Sequence, residues 1–468
     1  MKDWIEQWPL NNRAYDIAED YLYELIDRSL IQVARVEDIE GVQTCRIHDL
    51  LRDLCILESK EDKIFEVCTE TNILIPSKPR RLSVHSTMSQ YISSSTKDHS
   101  CVRSLFFSNP DYFVASDKWK LLTKDIKLVR VLDFECGLKI PSNLGNFIHL
   151  RYLRIGSIYL HCVPDFICNL QNLQTLHFKL TSSWGECIEI PISFPYAISK
   201  LKHLTHVHTD KYIMLRSSSS KSDSEVVMWH LQTIGFIALD KKTTYLIEKG
   251  CFPKLTTLQL MISTKFDGEV PKMLLSLKQL KHLNKLEIYT DDTQLMMNNC
   301  KFEEVLQSLK HFSHLSILKI VHPDLVTRVA VFPPNITKLT LAGIIRLNDD
   351  GMKVIGSLTK LQIFIISRLF DCEGSDSCID YNFVQDGFPQ LQEFWIIDFP
   401  IRNWKLANGS MPRLQILVLN NCYKMDSLPS ELWSLTTLKK VCVQKPSKAM
   451  AAMLQNLEVN NGCQVIVE

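Results

Sequence analysis

The sequence predicts an α/β fold in which a small α+β subdomain precedes a solenoid of stacked repeats with parallel strands on its concave face. An apolar frame recurs from about residue 80 almost to the carboxyl terminus, whereas the first 70 residues do not repeat. The composition, 46% hydrophobic and 22% charged, is that of a globular protein. The predicted domains are therefore residues 1–70 and residues 71–468.

The repeating frame places apolar residues in the pattern L-x-x-L-x-L. One copy is Leu150, Leu153 and Ile155, and the central position recurs at intervals of 21 to 32 residues. The fifteen central positions are Leu82, Leu105, Leu132, Leu153, Leu176, Val207, Ile234, Leu258, Leu286, Leu318, Leu339, Phe364, Phe394, Leu417 and Val441. These intervals bracket the period of leucine-rich repeats, so the sequence predicts about 15–16 such repeats in a horseshoe.

The frame has a direct structural meaning. Its last two positions are two residues apart and therefore point to the same face of a short strand. One repeat cannot bury these residues alone, so neighbouring repeats must stack. Between strands, Pro141, Pro164 and Pro429 begin similar segments, because proline fixes φ and ends strand pairing. The tail 463–467 is predicted to add one more strand.

Residues that alternate with the interior positions should line the concave face, which solenoids use for binding. In the first half they form a polar, mildly basic strip of Asp133, Tyr152, Arg154, His177, Lys179, His206 and His208. In the second half three adjacent repeats are expected to expose large apolar groups, namely Ile363, Ile365, Trp395, Ile397, Ile416 and Val418. Exposed apolar patches mark partner sites, so these six residues are the predicted protein-binding site. The alternatives are that the insertion 370–387 covers them or that the assumed register is wrong.

Metal binding and catalysis are not predicted. The three histidines His177, His206 and His208 fit no zinc signature and are interpreted as solvated strand residues. The fifteen cysteines are scattered without a C-x-x-C pair. No G-x-S-x-G or H-E-x-x-H pattern occurs, so we expect no enzymatic activity.

The first 70 residues are predicted to form a helix, a β-hairpin and a second helix, which is a winged-helix-like order. The stretch 15–28 has helical spacing of apolar residues, and 30–34 and 44–47 have strand character on either side of a polar turn. Asp49 is expected to cap the second helix, with His48 at the surface.

A family resemblance rests on two runs in this segment, Ala18–Ile31 and Cys45–Leu54, followed by the repeats. Together they resemble the plant nucleotide-binding leucine-rich-repeat disease-resistance proteins of the coiled-coil class, such as the late-blight resistance homologues. That family ends its winged-helix subdomain with Met-His-Asp, and here the motif is Ile47, His48 and Asp49. The resemblance implies that His48 faces the diphosphate of bound ADP and that Asp49 holds the inhibited arrangement.

The phosphate-binding loop G-x-x-x-x-G-K-[ST] that this chemistry needs does not occur in the chain. We therefore expect no cofactor in this chain, although ADP or ATP belongs to the complete family. His48 and Asp49 would bind nucleotide only if a nucleotide-binding domain were supplied. The sequence is interpreted as the carboxyl-terminal part of a receptor.

Charge is unevenly distributed. Residues 1–70 hold 8 basic and 17 acidic residues, giving −9, and residues 71–216 hold 18 basic and 10 acidic, giving +8. The two regions could attract each other. An acidic head would repel nucleic-acid phosphates, so no nucleic-acid partner is predicted.

The predicted function is recognition of a pathogen effector or a host target protein by an intracellular plant immune receptor. Further partners would be the chain's own missing nucleotide-binding domain or a full-length receptor. The amino terminus has no signal peptide and no apolar stretch is long enough for a membrane span, so the predicted location is cytoplasmic. The alternatives are a substrate adaptor of a ubiquitin ligase and a receptor fragment without function.

Overall fold

The structure is a computed structural model. It describes residues 21–35, 44–62, 64–69, 78–87, 90–91, 100–108, 116–136, 140–157, 160–180, 191–216, 227–263, 270–290, 309–327, 332–347, 349–368, 379–383, 387–399, 401–455 and 462–467. The chain divides into two compact units, Met1–Phe134 and Glu135–Glu468.

The first unit begins with the predicted helix, hairpin and helix. Residues 21–27 are helical, and the rest of the predicted first helix lies outside the described residues. Strands β1 (Ile31–Arg35) and β2 (Thr44–Ile47) pair antiparallel, with Val33 opposite Cys45. Helix α1 (Asp49–Glu61) follows β2 directly. The predicted β-hairpin and second helix are thus confirmed.

The first unit continues as a parallel ladder of strands. Its strands are β3 (Phe65–Cys68), β4 (Arg81–Val84), β5 (Ser104–Phe107) and β6 (Val131–Cys136), and helix α2 (Ser116–Asp125) lies between the last two. The frame positions Leu82, Leu105 and Leu132 are in register. Glu66 of β3 aligns with Leu82, so parallel pairing begins ahead of residue 71, where the repeats were expected to start.

The second unit consists of parallel strands joined by short connections. Its strands are β7 (Tyr152–Ser157), β8 (Thr175–Leu180), β9 (Ile192–Phe194), β10 (His206–Thr209), β11 (Ile213–Leu215), β12 (Thr233–Ala238), β13 (Thr257–Ile262), β14 (Lys285–Thr290), β15 (Ile317–Thr327), β16 (Lys338–Leu347), β17 (Ile363–Ser367), β18 (Ile379–Phe383), β19 (Glu393–Ile397), β20 (Ile401–Leu406), β21 (Ile416–Asn420), β22 (Lys440–Gln444) and β23 (Gln464–Val467). The tail strand β23 pairs with β22 as predicted.

The fifteen predicted frame positions form the core of both units. All of them are buried, with at most 5% of the residue surface exposed. In the second unit they are in register from strand to strand, as in Leu153–Leu176–Val207 and Phe364–Phe394–Leu417. The period of the sequence therefore identified the core because each strand contributes alternate residues to one interior.

The other side of the core is closed by short helical segments. Within the described residues, five of these segments are 3₁₀ turns, at Ser142–Asn146, Asp165–Asn169, Tyr196–Lys200, Leu277–Gln279 and Ser430–Ser434. The longer ones are α3 (Lys241–Glu248), α4 (Val270–Ser276), α5 (Asp349–Gly356) and α6 (Lys448–Gln455). Pro141, Pro164 and Pro429 precede their turns in extended conformation, as predicted.

Two pairs of strands were not predicted. Strand β11 pairs with β9, and β18 pairs with β20 in a separate two-stranded parallel sheet. Each pair joins second strands of two neighbouring repeats, of which only the repeats that contain β9 and β18 are among the longer ones. Such strands are only three to six residues long and do not follow the repeat period, so the sequence carried no distinct signal for them.

Candidate binding surface

The face of the second unit's sheet opposite the buried frame positions is the candidate binding surface, and we call it the open face. In-register side chains of neighbouring strands form rows across this face. A register shift interrupts the middle row at β12. The row consists of Arg154, His177, His208, Gln259, Glu287, Lys319, Thr340, Ile365, Trp395, Val418, Cys442 and Ile466. It changes along the unit from basic and polar to apolar, as the alternation in the sequence indicated.

The six predicted apolar residues lie together on strands β17, β19 and β21. Ile365, Trp395 and Val418 are direct neighbours in register. Ile363 and Ile416 flank Glu393 in the preceding row, and Ile397 lies in the next row. The structure therefore brings all six to one region of the open face.

Two of these residues are not exposed, so the expectation that all six would be accessible is wrong for them. Ile365 is 1% exposed and Val418 is 7% exposed. The physical reason is the close spacing of parallel strands, about 4.8 Å, which sets the large indole of Trp395 directly between them. Ile363, Trp395, Ile397 and Ile416 remain half-buried.

The indole of Trp395 is held in place by its own strand. Its Nε1 donates a hydrogen bond to Oε2 of Glu393 at 3.3 Å. An aromatic side chain with one polar bond and a partly open apolar surface is the kind of residue that dominates protein interfaces.

The described part of the insertion 370–387 does not cover this region. Strand β18 lies beside α5 and pairs with β20, and Trp404 of β20 packs edge-on against the core residue Phe394 at 6.0 Å. These contacts are on the core side of the sheet. Residues 370–378 and 384–386 lie outside the described residues.

The three histidines of the open face form a contiguous cluster. The rings of His206 and His208 stack with centroids 6.0 Å apart, and His177 meets His208 edge-on at 5.9 Å. Nδ1 of His206 lies 3.1 Å from Oγ1 of Thr233. Within the described residues no group of three or more His, Cys, Asp or Glu side chains is arranged to hold a metal ion.

The surroundings of the three histidine rings disfavour their protonated form. Burial, followed by the neighbouring His208, Arg154 and Lys179, lowers the pKa of His177 to about 4. Burial and His208 lower the pKa of His206 to about 4. Burial and the Lys285 ammonium also lower the pKa of His208. His208 is exposed, in line with the interpretation as solvated strand residues, whereas the neighbouring strands leave His177 and His206 half-buried.

Folding stability should depend on these rings in acid. The unfolded chain takes up protons near the ordinary histidine pKa of about 6.5, whereas folded His177 and His206 do so only near 4. The contribution of the two neutral rings to the free energy of unfolding is therefore fully present above about pH 6.5 and is lost as the pH falls towards about 4. We expect the double variant His177→Gln, His206→Gln to lose less stability than the wild type between about pH 7 and pH 5 in urea-induced unfolding.

The control for this measurement is His314→Gln, because His314 is exposed. It should leave the pH dependence as in the wild type. An unchanged pH dependence in the double variant would contradict the assignment of lowered pKa values to these two half-buried rings.

A buried ion pair lies in the middle of the open face. Glu287 is 2% exposed, and Nζ of Lys285 lies 2.9 Å from its Oε1. The hydroxyl of Tyr289 donates to Glu287 Oε2 at 2.7 Å. Burial raises the pKa of Glu287, but the Lys285 charge and the hydrogen bonds from Tyr289 and Gln259 outweigh it, so the pKa lies below its ordinary value.

Sequence analysis did not single out Glu287. Its position between Leu286 and Ile288 placed it on the open face, but nothing in one repeat shows that the next repeats would bury it. The only available signal was the i, i+2 spacing of Lys285, Glu287 and Tyr289 on one strand face.

The repeats match a described protein family. The family model described as "Leucine-rich repeat region" matches residues 102–460, which is more than half of the chain. The chain belongs to this family. A second model, described as "Disease resistance protein Winged helix domain", matches residues 3–55.

Relatives place the leucine-rich-repeat chain among plant disease-resistance proteins. Disease resistance protein RPP8 of Arabidopsis thaliana is 27% identical over 446 residues, which are 92% of this chain and 46% of RPP8. Disease resistance protein RPH8A of the same plant is 27% identical over 453 residues, with 92% and 46% coverage. These matches confirm the resemblance to the nucleotide-binding leucine-rich-repeat resistance proteins. The chain spans about half the length of the curated relatives it matches.

Among solved structures, the circular leucine-rich-repeat protein CroV588 aligns with 80% of this chain and 48% of its own. Its sequence identity is 13% and the TM-score is 0.38, so this likeness carries no functional argument. Among the described residues, no helix is long and apolar enough to cross a membrane.

The two residues of the family's nucleotide motif lie at the start of α1. His48 and Asp49 are both exposed, and Nδ1 of His48 accepts a hydrogen bond from the backbone N–H of Leu50 at 3.4 Å. Asp49 is already the first helical residue, so His48 takes the cap position that sequence analysis gave to Asp49. Two exposed side chains do not form a phosphate cradle, so these residues do not fit a nucleotide by themselves. Their role beside a supplied nucleotide-binding domain stays a prediction.

Proposed function

We propose that this chain is the recognition portion of a plant immune receptor and that it binds a protein ligand through its open face. The supporting observation is the half-buried Trp395 with Ile363, Ile397 and Ile416 around it, on strands whose other face is fully occupied by the core. Relatives named as disease resistance proteins support the immune context. The ligand would be a pathogen effector or a host target, and the proposed location is the cytoplasm.

The proposal includes no catalytic step. Binding would depend on apolar contact with the partner. Trp395 would be the central contact residue, and the buried Ile365 and Val418 would support its side chain from the neighbouring strands. A nucleotide-binding domain, in a longer chain or in a partner receptor, would be needed to convert that binding into a nucleotide-dependent switch. His48 and Asp49 are the proposed contact points for it.

The test is a quantitative pull-down from plant tissue challenged with a pathogen, using the wild type and Trp395→Ala. Proteins bound through the open face should be depleted at least about tenfold by Trp395→Ala, because a central aromatic anchor contributes two or more kcal/mol. The matched control is Trp229→Ala, since Trp229 is 62% exposed and precedes β12 rather than lying in the open-face rows.

The outcomes separate the alternatives. Proteins lost with Trp395→Ala but retained with Trp229→Ala support recognition by the open face. Identical recovery with both variants contradicts it. Recovery of ubiquitin-ligase subunits, insensitive to Trp395→Ala, would instead favour the adaptor function.

A further inference from the structure

A row of basic side chains follows the amino ends of the strands in the middle of the second unit. In each repeat the row takes the residue directly before the first frame position, and its members are His203, His230, Lys254, His282 and His314. Strands β10, β12, β13, β14 and β15 follow these residues in turn. His203 is half-buried and the other four are exposed.

Backbone hydrogen bonds hold these positions at the spacing of neighbouring strands. Two residues after the row, the N–H of Gln232 donates to Thr205 O at 2.8 Å and the N–H of Thr256 donates to Gln232 O at 2.9 Å. The same bond recurs at Asn284 and Ser316. Parallel strands lie about 4.8 Å apart, so the five side chains extend over about 20 Å along one edge of the sheet.

Further cations lie beside this row. Lys281 directly precedes His282, and Lys310 and His311 stand shortly before His314. Desolvation and the charges of Lys278 and Lys310 lower the pKa of His311, so these three groups are close together. All four neighbours, Lys278, Lys281, Lys310 and His311, are exposed. We call the row together with these four residues the basic rim.

The basic rim is not neutralised within the described residues. None of its members forms an ion pair there. The described residues between 227 and 320 include ten lysines, whereas their carboxylates are Asp240, Glu248 and Glu287. Asp240 caps helix α3, and Glu287 is buried and paired with Lys285. The excess positive charge therefore favours an extended anionic partner.

Exposed apolar side chains accompany the cations. Trp229 directly precedes His230 in the row, and 62% of its surface is exposed. Ile148 precedes the exposed His149 in the same way two repeats before His203, and it is 58% exposed. Lysines combined with an exposed indole and an aliphatic side chain are typical of proteins that lie on the surface of an anionic membrane.

We propose that the basic rim binds the surface of an anionic lipid bilayer, with its lysines against the headgroups and Trp229 inserted among them. A bilayer offers negative charge and an apolar layer together, which matches both kinds of side chain. Single-stranded nucleic acid is stacked on successive aromatic rings, whereas Ile148 has no ring on which a base could stack.

This surface lies at the amino ends of the strands and not on the open face, so the inference goes beyond the proposed function. Vesicle binding does not involve Trp395, and its failure would leave the Trp395-dependent pull-down as it stands. Trp229→Ala leaves the open face unchanged and can therefore serve as the control there and as a test variant here.

The experiment is sedimentation of the full chain with vesicles of phosphatidylcholine that contain about 30% phosphatidylserine, a strongly anionic surface. The test variant combines Lys254→Gln, Lys281→Gln and Lys310→Gln. Each lysine near an anionic surface strengthens binding about fivefold, so the triple variant should bind about a hundredfold more weakly than the wild type. Its unfolding temperature should stay within about 2 °C of the wild type, because all three lysines are exposed.

The matched control combines Lys405→Gln, Lys445→Gln and Lys448→Gln. These lysines are exposed as well, but they lie on β20, after β22 and at the start of α6, in the carboxyl-terminal repeats. The control removes the same charge and should bind the vesicles within about threefold of the wild type. Equal losses in the two triple variants would overturn the basic rim as the binding surface, because net charge alone would then explain them.

Two further measurements test the lipid chemistry. Trp229→Ala should weaken binding about tenfold, since a partly inserted apolar side chain is lost, and unchanged binding would overturn the insertion of the indole. Vesicles of phosphatidylcholine alone should bind the wild type at least about tenfold more weakly, and equal binding would overturn the role of the lysines. A labelled oligothymidylate that binds the wild type more tightly than the anionic vesicles do, and is lost with the rim variant, would overturn the lipid partner in favour of nucleic acid.

Discussion

Replacing Phe394 by alanine is expected to lower the free energy of unfolding by about 3–5 kcal/mol, the cost of truncating a fully buried aromatic residue. Phe394 is 0% exposed, stacks on Phe364 at 5.3 Å with nearly parallel rings, and receives the edge of Trp404 at 6.0 Å. Phe364 in turn stacks on Phe388 at 5.9 Å. Removing the ring therefore leaves a cavity among side chains from three segments that cannot all move to fill it.

Urea-induced unfolding of the wild type and Phe394→Ala measures this loss. Phe394→Leu restores the residue that the repeat frame most often has, and it should cost only about 1–1.5 kcal/mol. Trp229→Ala should change stability by less than about 0.5 kcal/mol, because Trp229 is 62% exposed. A loss below about 1 kcal/mol for Phe394→Ala would show that the aromatic stack is not an essential part of the core.

The second large effect is expected at the buried ion pair. Lys285→Met should destabilise the protein by about 2–4 kcal/mol at neutral pH, because it leaves the carboxylate of Glu287 buried without its cation. The side chain of Lys285 is 20% exposed and that of Glu287 only 2% exposed, so the carboxylate cannot turn to solvent. Tyr289 still donates to Glu287 in the variant, which keeps the loss below that of a fully isolated charge.

A double variant separates charge from packing. Lys285→Met combined with Glu287→Gln should recover most of the lost stability, since no uncompensated charge remains. The measurement is the free energy of unfolding of both single variants and the double variant at neutral pH. If the double variant is as unstable as Lys285→Met, then the loss comes from packing of the lysine stem rather than from the charge of Glu287.

Burial changes how the apolar site should be tested. Ile365 is 1% exposed, so an aspartate there would destabilise the sheet whether or not a partner binds. Trp395 is half-buried and can be truncated with less damage to the core. Binding experiments should therefore rest on Trp395, and Ile365 and Val418 should be treated as residues that support it.

The sequence determined the repeat, its period, the buried frame and the residues of the open face. Each of these follows from local rules, because alternate strand residues point to opposite faces and an apolar frame must be stacked to be buried. The same rules predicted the hairpin β1–β2 and the helix after it. They could assign a side chain to a face, but not its exposure on that face.

Exposure was decided by neighbours that are far away in the chain. Ile365 and Val418 are covered because Trp395, 30 residues after one and 23 before the other, lies between them in register. Glu287, His177 and His206 are desolvated in the same way by the next strands. This burial lowers the pKa of the two histidines and opposes the lowering of the Glu287 pKa by Lys285. The stacking distance of about 4.8 Å is the common physical cause, since it makes each side chain's solvent contact depend on the size of residues one repeat away.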